Sequence, residues 1–140
     1  SVVPTRTGAA KAIAQVMPNL TGKVEGYALR VPTANVSLLD MVIHFPEAVS
    51  KDQVYQHIES SVASSPYVTV NKAPLVSCDF NQNASSAVID LTQLQINGRV
   101  VRVVAWYDNE WGYATRMLDM AEIMAQQVMS SASSVSLAHE

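Results

Sequence analysis

Three places in this 140-residue sequence carry residue types and spacings suited to ligand chemistry. Thr7 and Gly8 stand where a helical apolar period begins, Arg30 stands where an alternating run ends, and Asn109 precedes Tyr113 by four residues. The first N–H groups of a helix lack partners and lie at the positive end of its dipole, so an anion is favoured there, and glycine lets it approach closely. A planar guanidinium such as that of Arg30 gives paired, charge-assisted hydrogen bonds to phosphate oxygens. An asparagine amide both donates and accepts, and a separation of four residues puts Asn109 and Tyr113 on one side of a helix. Each group also has an ordinary structural reading: Thr7 as a cap, Arg30 as a solvated or ion-paired arginine, Asn109 as a cap with Tyr113 in the core. Local sequence by itself favours the ordinary readings.

Cys78 is the only cysteine, and with His44, His57 and His139 it raises the question of thiol catalysis. The segment 75–80 reads as a strand, free cysteine is often buried, and no histidine holds a motif-defined spacing to it, so Cys78 is expected in the core. One cysteine excludes an internal disulfide and fits a reducing, cytoplasmic setting. No Cys/His spacing suits zinc, and Asp40 with His44 are too few ligands, so no metal is expected.

A net charge of -3 and a pI near 5.5 argue against a broad nucleic-acid surface while leaving room for a local cationic pocket. No run approaches the roughly 18 apolar residues of a membrane span, and no basic segment followed by an apolar run opens the sequence. Neither a membrane nor a secretory signal is expected.

These groups need elements to hold them. The run from Pro4 to Met17 opens like a helix: Pro4 lies ahead of Thr7, which can cap, and Ala9, Ala10, Ile13, Val16 and Met17 give an apolar face, stopped by Pro18 and Asn19. Residues 24–31 and 36–45 read as strands, with Leu39, Met41, Ile43 and Phe45 alternating onto a face that should meet helices. Ser50 and Gln53 form a capping-box pattern ahead of Val54, Ile58 and Val62, predicting a helix over 51–64. Segments 75–80, 86–96 and 99–107 are rich in Val, Ile and Leu, and Asn97-Gly98 predicts a type I′ hairpin turn. From Glu110 to about Met129 the period is helical, with Tyr113, Met117, Met120, Met124 and Val128 on one stripe assigned to the core. These elements predict an α+β fold: a mixed, largely antiparallel sheet covered by helices, in one domain over 1–130 with a frayed tail over 131–140.

Three phrases reach beyond periodicity: SVVPTRTGAAKA at 1–12, LRVPTANVSLLD at 29–40 and VAWYDNEWGYATRMLD at 104–119. With LVSCDFNQNASSAVID at 75–90, they resemble the C-terminal domain of phosphorylating glyceraldehyde-3-phosphate dehydrogenase in order and spacing, over nearly everything before the serine-rich tail. The resemblance implies an oxidoreductase of glycolysis in which a cysteine thiolate attacks the aldehyde, hydride passes to NAD or NADP, and inorganic phosphate cleaves the thioester. It implies substrate or phosphate contacts for Thr7, Gly8 and Arg30, a hydrogen bond from Asn109 to the nicotinamide carboxamide, and packing of Tyr113 beside that ring. Arg6 departs from the small hydroxyl residue common at its position.

The family's catalytic cysteine and histidine belong to earlier sequence, and no strand-linked G-x-G-x-x-G is present, so no catalytic residue is assigned here and this segment alone is not expected to oxidise aldehydes. The implied partners are a phosphorylated aldehyde, inorganic phosphate, an N-terminal dinucleotide-binding half and further copies in a homotetramer. Two alternatives stand beside this reading: the matching half of an erythrose-4-phosphate dehydrogenase, and a noncatalytic binding or scaffold module derived from the family.

Overall fold

The computed structural model describes residues 1–136. The chain divides into two compact units, Ser1–Ala34 and Asn35–Glu140.

In the first unit β1, Val3–Arg6, pairs antiparallel with β2, Tyr27–Arg30, and α1 spans Ala9–Val16 between them. The helix begins where its cap is expected, within one residue of Thr7. Pro4 cannot donate to a ladder but is tolerated in a two-stranded edge pair, and Val3–Arg6, ahead of the helical period, pair across as a strand that the sequence pattern does not announce. Gly8 caps α1, and the Thr7 hydroxyl accepts the Ala9 N–H at 3.2 Å. A 3-10 turn over Pro18–Leu20 ends the helix where Pro18 predicts a stop.

In the second unit four strands take the order β3, β6, β5, β4. β3 is Ser37–His44, β4 Val68–Asn71, β5 Ala87–Asn97 and β6 Val100–Tyr107. β3–β6 and β5–β6 are antiparallel and β4–β5 is parallel, so the sheet is mixed, as expected. α2, Lys51–Ala63, carries the chain from β3 to β4, and the segment 72–86 with its 3-10 turn is the crossover that lets β5 run parallel to β4. Its Ser50–Gln53 capping box forms in both directions, at 2.9 and 3.2 Å. Val54, Tyr55 and Ile58 of α2 pack on a core of Leu94, Val101 and Val103, joined by Met41 of β3. On the same strand Leu39 and Ile43 stay exposed, so the face expected to meet helices is covered only in part.

Several expectations need correction. Segment 75–80 is not a strand: Ser77–Phe80 forms a 3-10 turn, and Cys78 is exposed rather than core. The Asp79 carboxylate accepts the Val76 N–H at 2.8 Å, a local bond that competes with any ladder. The hairpin loop is Gly98-Arg99, since Asn97 pairs with Val100, and of these residues only Gly98 has positive φ, at 58°. That is the signature of a type II′ turn, one residue later than the expected type I′. β4, absent from the sequence reading, is a short edge strand whose partner lies beyond a long loop. The stripe assigned to the core is solvent-facing: Met117, Met120, Met124 and Val128 of α3, Asn109–Ser136, are all more than half exposed. α3 extends past the expected end near Met129, while 137–140 lie outside the described residues. Periodicity identifies an apolar face but not whether the same unit covers it.

Candidate functional site

In the first unit, cross-strand register sets the relation between Arg30 and Thr7. Arg30 pairs with Val3 and Tyr27 with Arg6, so Thr7 leaves the far end of the ladder, about 13 Å along it at roughly 3.3 Å per residue. Paired residues share a face and alternate residues repeat it, so Arg30 lies on the side of Val3 and Thr5 that Thr7 continues. Arg6 falls on the opposite face beside Tyr27. Both Thr7 and Arg30 are exposed. This unit carries four basic residues, Arg6, Lys11, Lys23 and Arg30, against Glu25 alone, so it is locally cationic within an acidic chain. A Cβ on Gly8 would meet nothing within 4 Å, leaving the approach to the α1 start open.

In the second unit, Asn109 is the first residue of α3, separated from the end of β6 only by Asp108. The cap is Asp108, not Asn109. One Asp108 carboxylate oxygen accepts the Trp111 N–H at 3.0 Å, and the Asp108 carbonyl accepts the Gly112 N–H at 2.9 Å. The other carboxylate oxygen accepts the Gln82 N–H and an Asn35 side-chain N–H, both at 2.9 Å. Asn35 also donates to the Asn81 side chain at 3.1 Å. Asp108 is 2% exposed, and these donors, the Trp111 N–H first, hold its carboxyl below the usual carboxylate range against the opposing effect of burial.

Gly112 sits one turn into the helix, where a Cβ would come within 3.3 Å of the Ser85 carbonyl oxygen. Arg116, one turn further, bonds Asp119 at 2.7 Å and Ser86 at 3.0 Å and lies 4.7 Å from the Tyr67 ring centre. The start of α3 is thereby pinned to the 82–86 loop, while Asn109 and Tyr113 remain exposed, Tyr113 at 67%. Neither ordinary reading of this pair holds within the chain: Asn109 does not cap, and Tyr113 is not buried.

Asp108 was missed as an organising residue. Its only local signal is an Asp directly before a helical period, a common cap type; the bonds to Asn35 and Gln82 join residues 73 and 26 positions away. Cys78 and His44 take no part in a metal cluster, and among the described residues no group of three or more His, Cys, Asp or Glu could hold a metal. Among those residues too, no helix is long and apolar enough to cross a membrane.

The fold and its anchored turns define an α+β domain that displays short polar motifs at the ends of its elements. A family model, glyceraldehyde 3-phosphate dehydrogenase, C-terminal domain, matches residues 1–109, and the chain belongs to that family. The match ends at Asn109, so Tyr113 lies beyond it. Glyceraldehyde-3-phosphate dehydrogenase 2 of Staphylococcus aureus (strain Mu50 / ATCC 700699) is 49% identical over 123 residues, covering 87% of this chain and 36% of that protein. Glyceraldehyde-3-phosphate dehydrogenase of Pseudomonas aeruginosa is 44% identical over 125 residues, 89% of this chain and 37% of that protein. The chain spans a little over a third of the length of these curated relatives.

Proposed function

We propose that this chain is the C-terminal half of an NAD(P)-dependent phosphorylating glyceraldehyde-3-phosphate dehydrogenase, binding phosphate through Thr7, Gly8 and Arg30 and positioning nicotinamide through Asn109 and Tyr113. The observation that carries the reading is the exposed Asn109–Tyr113 pair. An exposed amide and an exposed tyrosine, four residues apart on a helix whose cap and first turns are fixed from three directions, make a polar-aromatic platform open to a ligand. A nicotinamide ring offers what such a platform recognises, a carboxamide for the asparagine and a flat face for the tyrosine.

The first unit supports the phosphate half of the reading. In this reading the Arg30 side chain reaches along the ladder toward the α1 start, so that its guanidinium and the open helix N–H groups meet one tetrahedral anion. The nucleophilic thiol, its histidine and the pyrophosphate-binding fold come from an N-terminal half in this reading, and the apolar residues left exposed along α3 and β3 suit burial against that half and against further subunits.

The test is kinetic, in the full-length enzyme. Purified protein should reduce NAD or NADP only with both glyceraldehyde 3-phosphate and inorganic phosphate present, and Arg30→Ala should raise the KM for phosphate. A preference for erythrose 4-phosphate would move the assignment to the neighbouring dehydrogenase. Absence of nucleotide binding and of aldehyde oxidation in the full-length protein would leave a binding module instead.

A further inference from the structure

Two non-glycine residues in the whole described chain hold positive φ, Val36 at 69° and Gln82 at 59°. This backbone region is unfavourable for any side chain and worse for a β-branched one, and such strain persists only where surroundings over-determine it. Both residues border the same carboxylate. Gln82 donates its own N–H to Asp108, and Val36 follows Asn35, whose side chain donates to the same Asp108 oxygen. Val36 is itself buried with Phe80 and Val88. A helix cap needs only the bond to Trp111. The second oxygen instead draws two separate loops onto the residue preceding Asn109, and does so at the cost of strain in both.

We infer that Asp108 is a positioning residue for the nicotinamide ring, fixing the first turn of α3 so that the Asn109 amide meets the ring carboxamide in one orientation. Asp108 is buried, so it acts through the turn it holds rather than on the ring. The inference rests on the proposed role of Asn109. Its consequence is specific: the ring has two faces, and whichever is turned toward the substrate receives hydride at C4. A carboxamide held in one orientation presents one face, whereas a loosened Asn109 allows the ring to turn over.

The test uses the full-length enzyme and glyceraldehyde 3-phosphate deuterated at the aldehyde carbon, with the label's position at nicotinamide C4 read by proton NMR. In Asp108→Asn, whichever way the amide is turned, one side of it meets a donor with a donor, so cap and loop bonds cannot both survive. Wild type should label one face. Asp108→Asn should lower kcat about tenfold and place label on both faces, because a small loss of orientation is costly in a transfer that depends on alignment. Asp108→Asn combined with Asn35→Asp restores an acceptor opposite the new amide and should recover part of the facial selectivity.

Single-face labelling in Asp108→Asn, with only the melting temperature lowered, overturns the inference and leaves Asp108 a structural cap. Asn109→Ala, run alongside, separates the two levels: loss of selectivity there with none in Asp108→Asn sinks positioning alone, and no effect in Asn109→Ala sinks the nicotinamide contact on which it rests. If Asp108→Asn does not fold, Asn35→Ala removes one of the donors to the carboxylate and should shift label in the same direction to a smaller degree; single-face labelling there is the overturning result.

Discussion

Phe80 and Trp106 stack with ring centres 5.3 Å apart and planes 12° from parallel, fastening the 3-10 turn after β4 to β6, an inner strand of the sheet. The same indole donates to buried Asp90 at 2.9 Å, and Asp90 accepts both the N–H and the hydroxyl of Thr92, at 3.0 and 2.6 Å. Those bonds occupy the irregular stretch of β5, where the register with β6 slips between Asp90 and Gln95.

Trp106→Phe should therefore destabilise the protein by about 1 to 3 kcal/mol, since the ring can still stack while the buried Asp90 oxygen loses its donor. Urea denaturation of the variant against wild type measures this, and an unchanged midpoint would mean that another donor reaches Asp90.

Arg30 and Thr7 should differ in their effect on phosphate. A hydrogen bond to a charged group is worth about 1.5 to 3 kcal/mol, so Arg30→Ala should raise the phosphate KM by roughly 10- to 150-fold. A helix terminus contributes about 0.3 to 1 kcal/mol, so Thr7→Ala should cost only about two- to fivefold. Steady-state kinetics with varied phosphate in the full-length enzyme gives both numbers, and equal losses would contradict the ranking.

Stability should acquire an acid limb from Asp108. Its donors, with Trp111 foremost, lower its carboxyl in the folded state below the ordinary 3.8. The unfolded chain therefore binds the proton more readily, so the stabilisation is fully present above the ordinary carboxylate range and is lost as pH falls through the lowered folded value. Asp108→Asn has no such proton to bind. The stability difference between wild type and this variant, from denaturation across pH 2.5 to 7 (a range bracketing about 3.9), should be largest at neutral pH and shrink at the acid end.

Gly98 and Gln82 make opposite predictions about left-handed backbone. Gly98 turns the hairpin at φ 58°, so Gly98→Ala should cost about 1 kcal/mol. Gln82 holds φ 59° with an exposed side chain, so Gln82→Gly should relieve strain and change stability by no more than about 1 kcal/mol, in the favourable direction. Thermal melts distinguish the two signs.

Cys78 should react in the native chain with a thiol reagent such as DTNB, because it is exposed on the 3-10 turn. Such labelling reports access alone and is no sign of a catalytic thiol. Protection of Cys78 in native protein would instead mean that this turn is covered.

What the sequence determined by itself is what neighbouring residues decide among themselves. The Ser50–Gln53 box, the helix period behind it, the halt at Pro18 and the hairpin near Gly98 each need only a few adjacent residues, and all were legible. The candidate site was legible as residue types, with Thr7, Gly8, Arg30, Asn109 and Tyr113 named from their phrases. Tertiary structure alone decided the rest. Val3–Arg6 became a strand because Tyr27–Arg30 lies beside it, and Val68–Asn71 because Ala87–Asp90 does. The α3 methionines, apolar at helical spacing, stayed exposed because burial depends on what lies opposite, which spacing does not specify. Asp108 looked like an unremarkable residue between a strand and a helix, and only the distant donors of Asn35 and Gln82, brought in by the fold, show how firmly the turn carrying Asn109 is held.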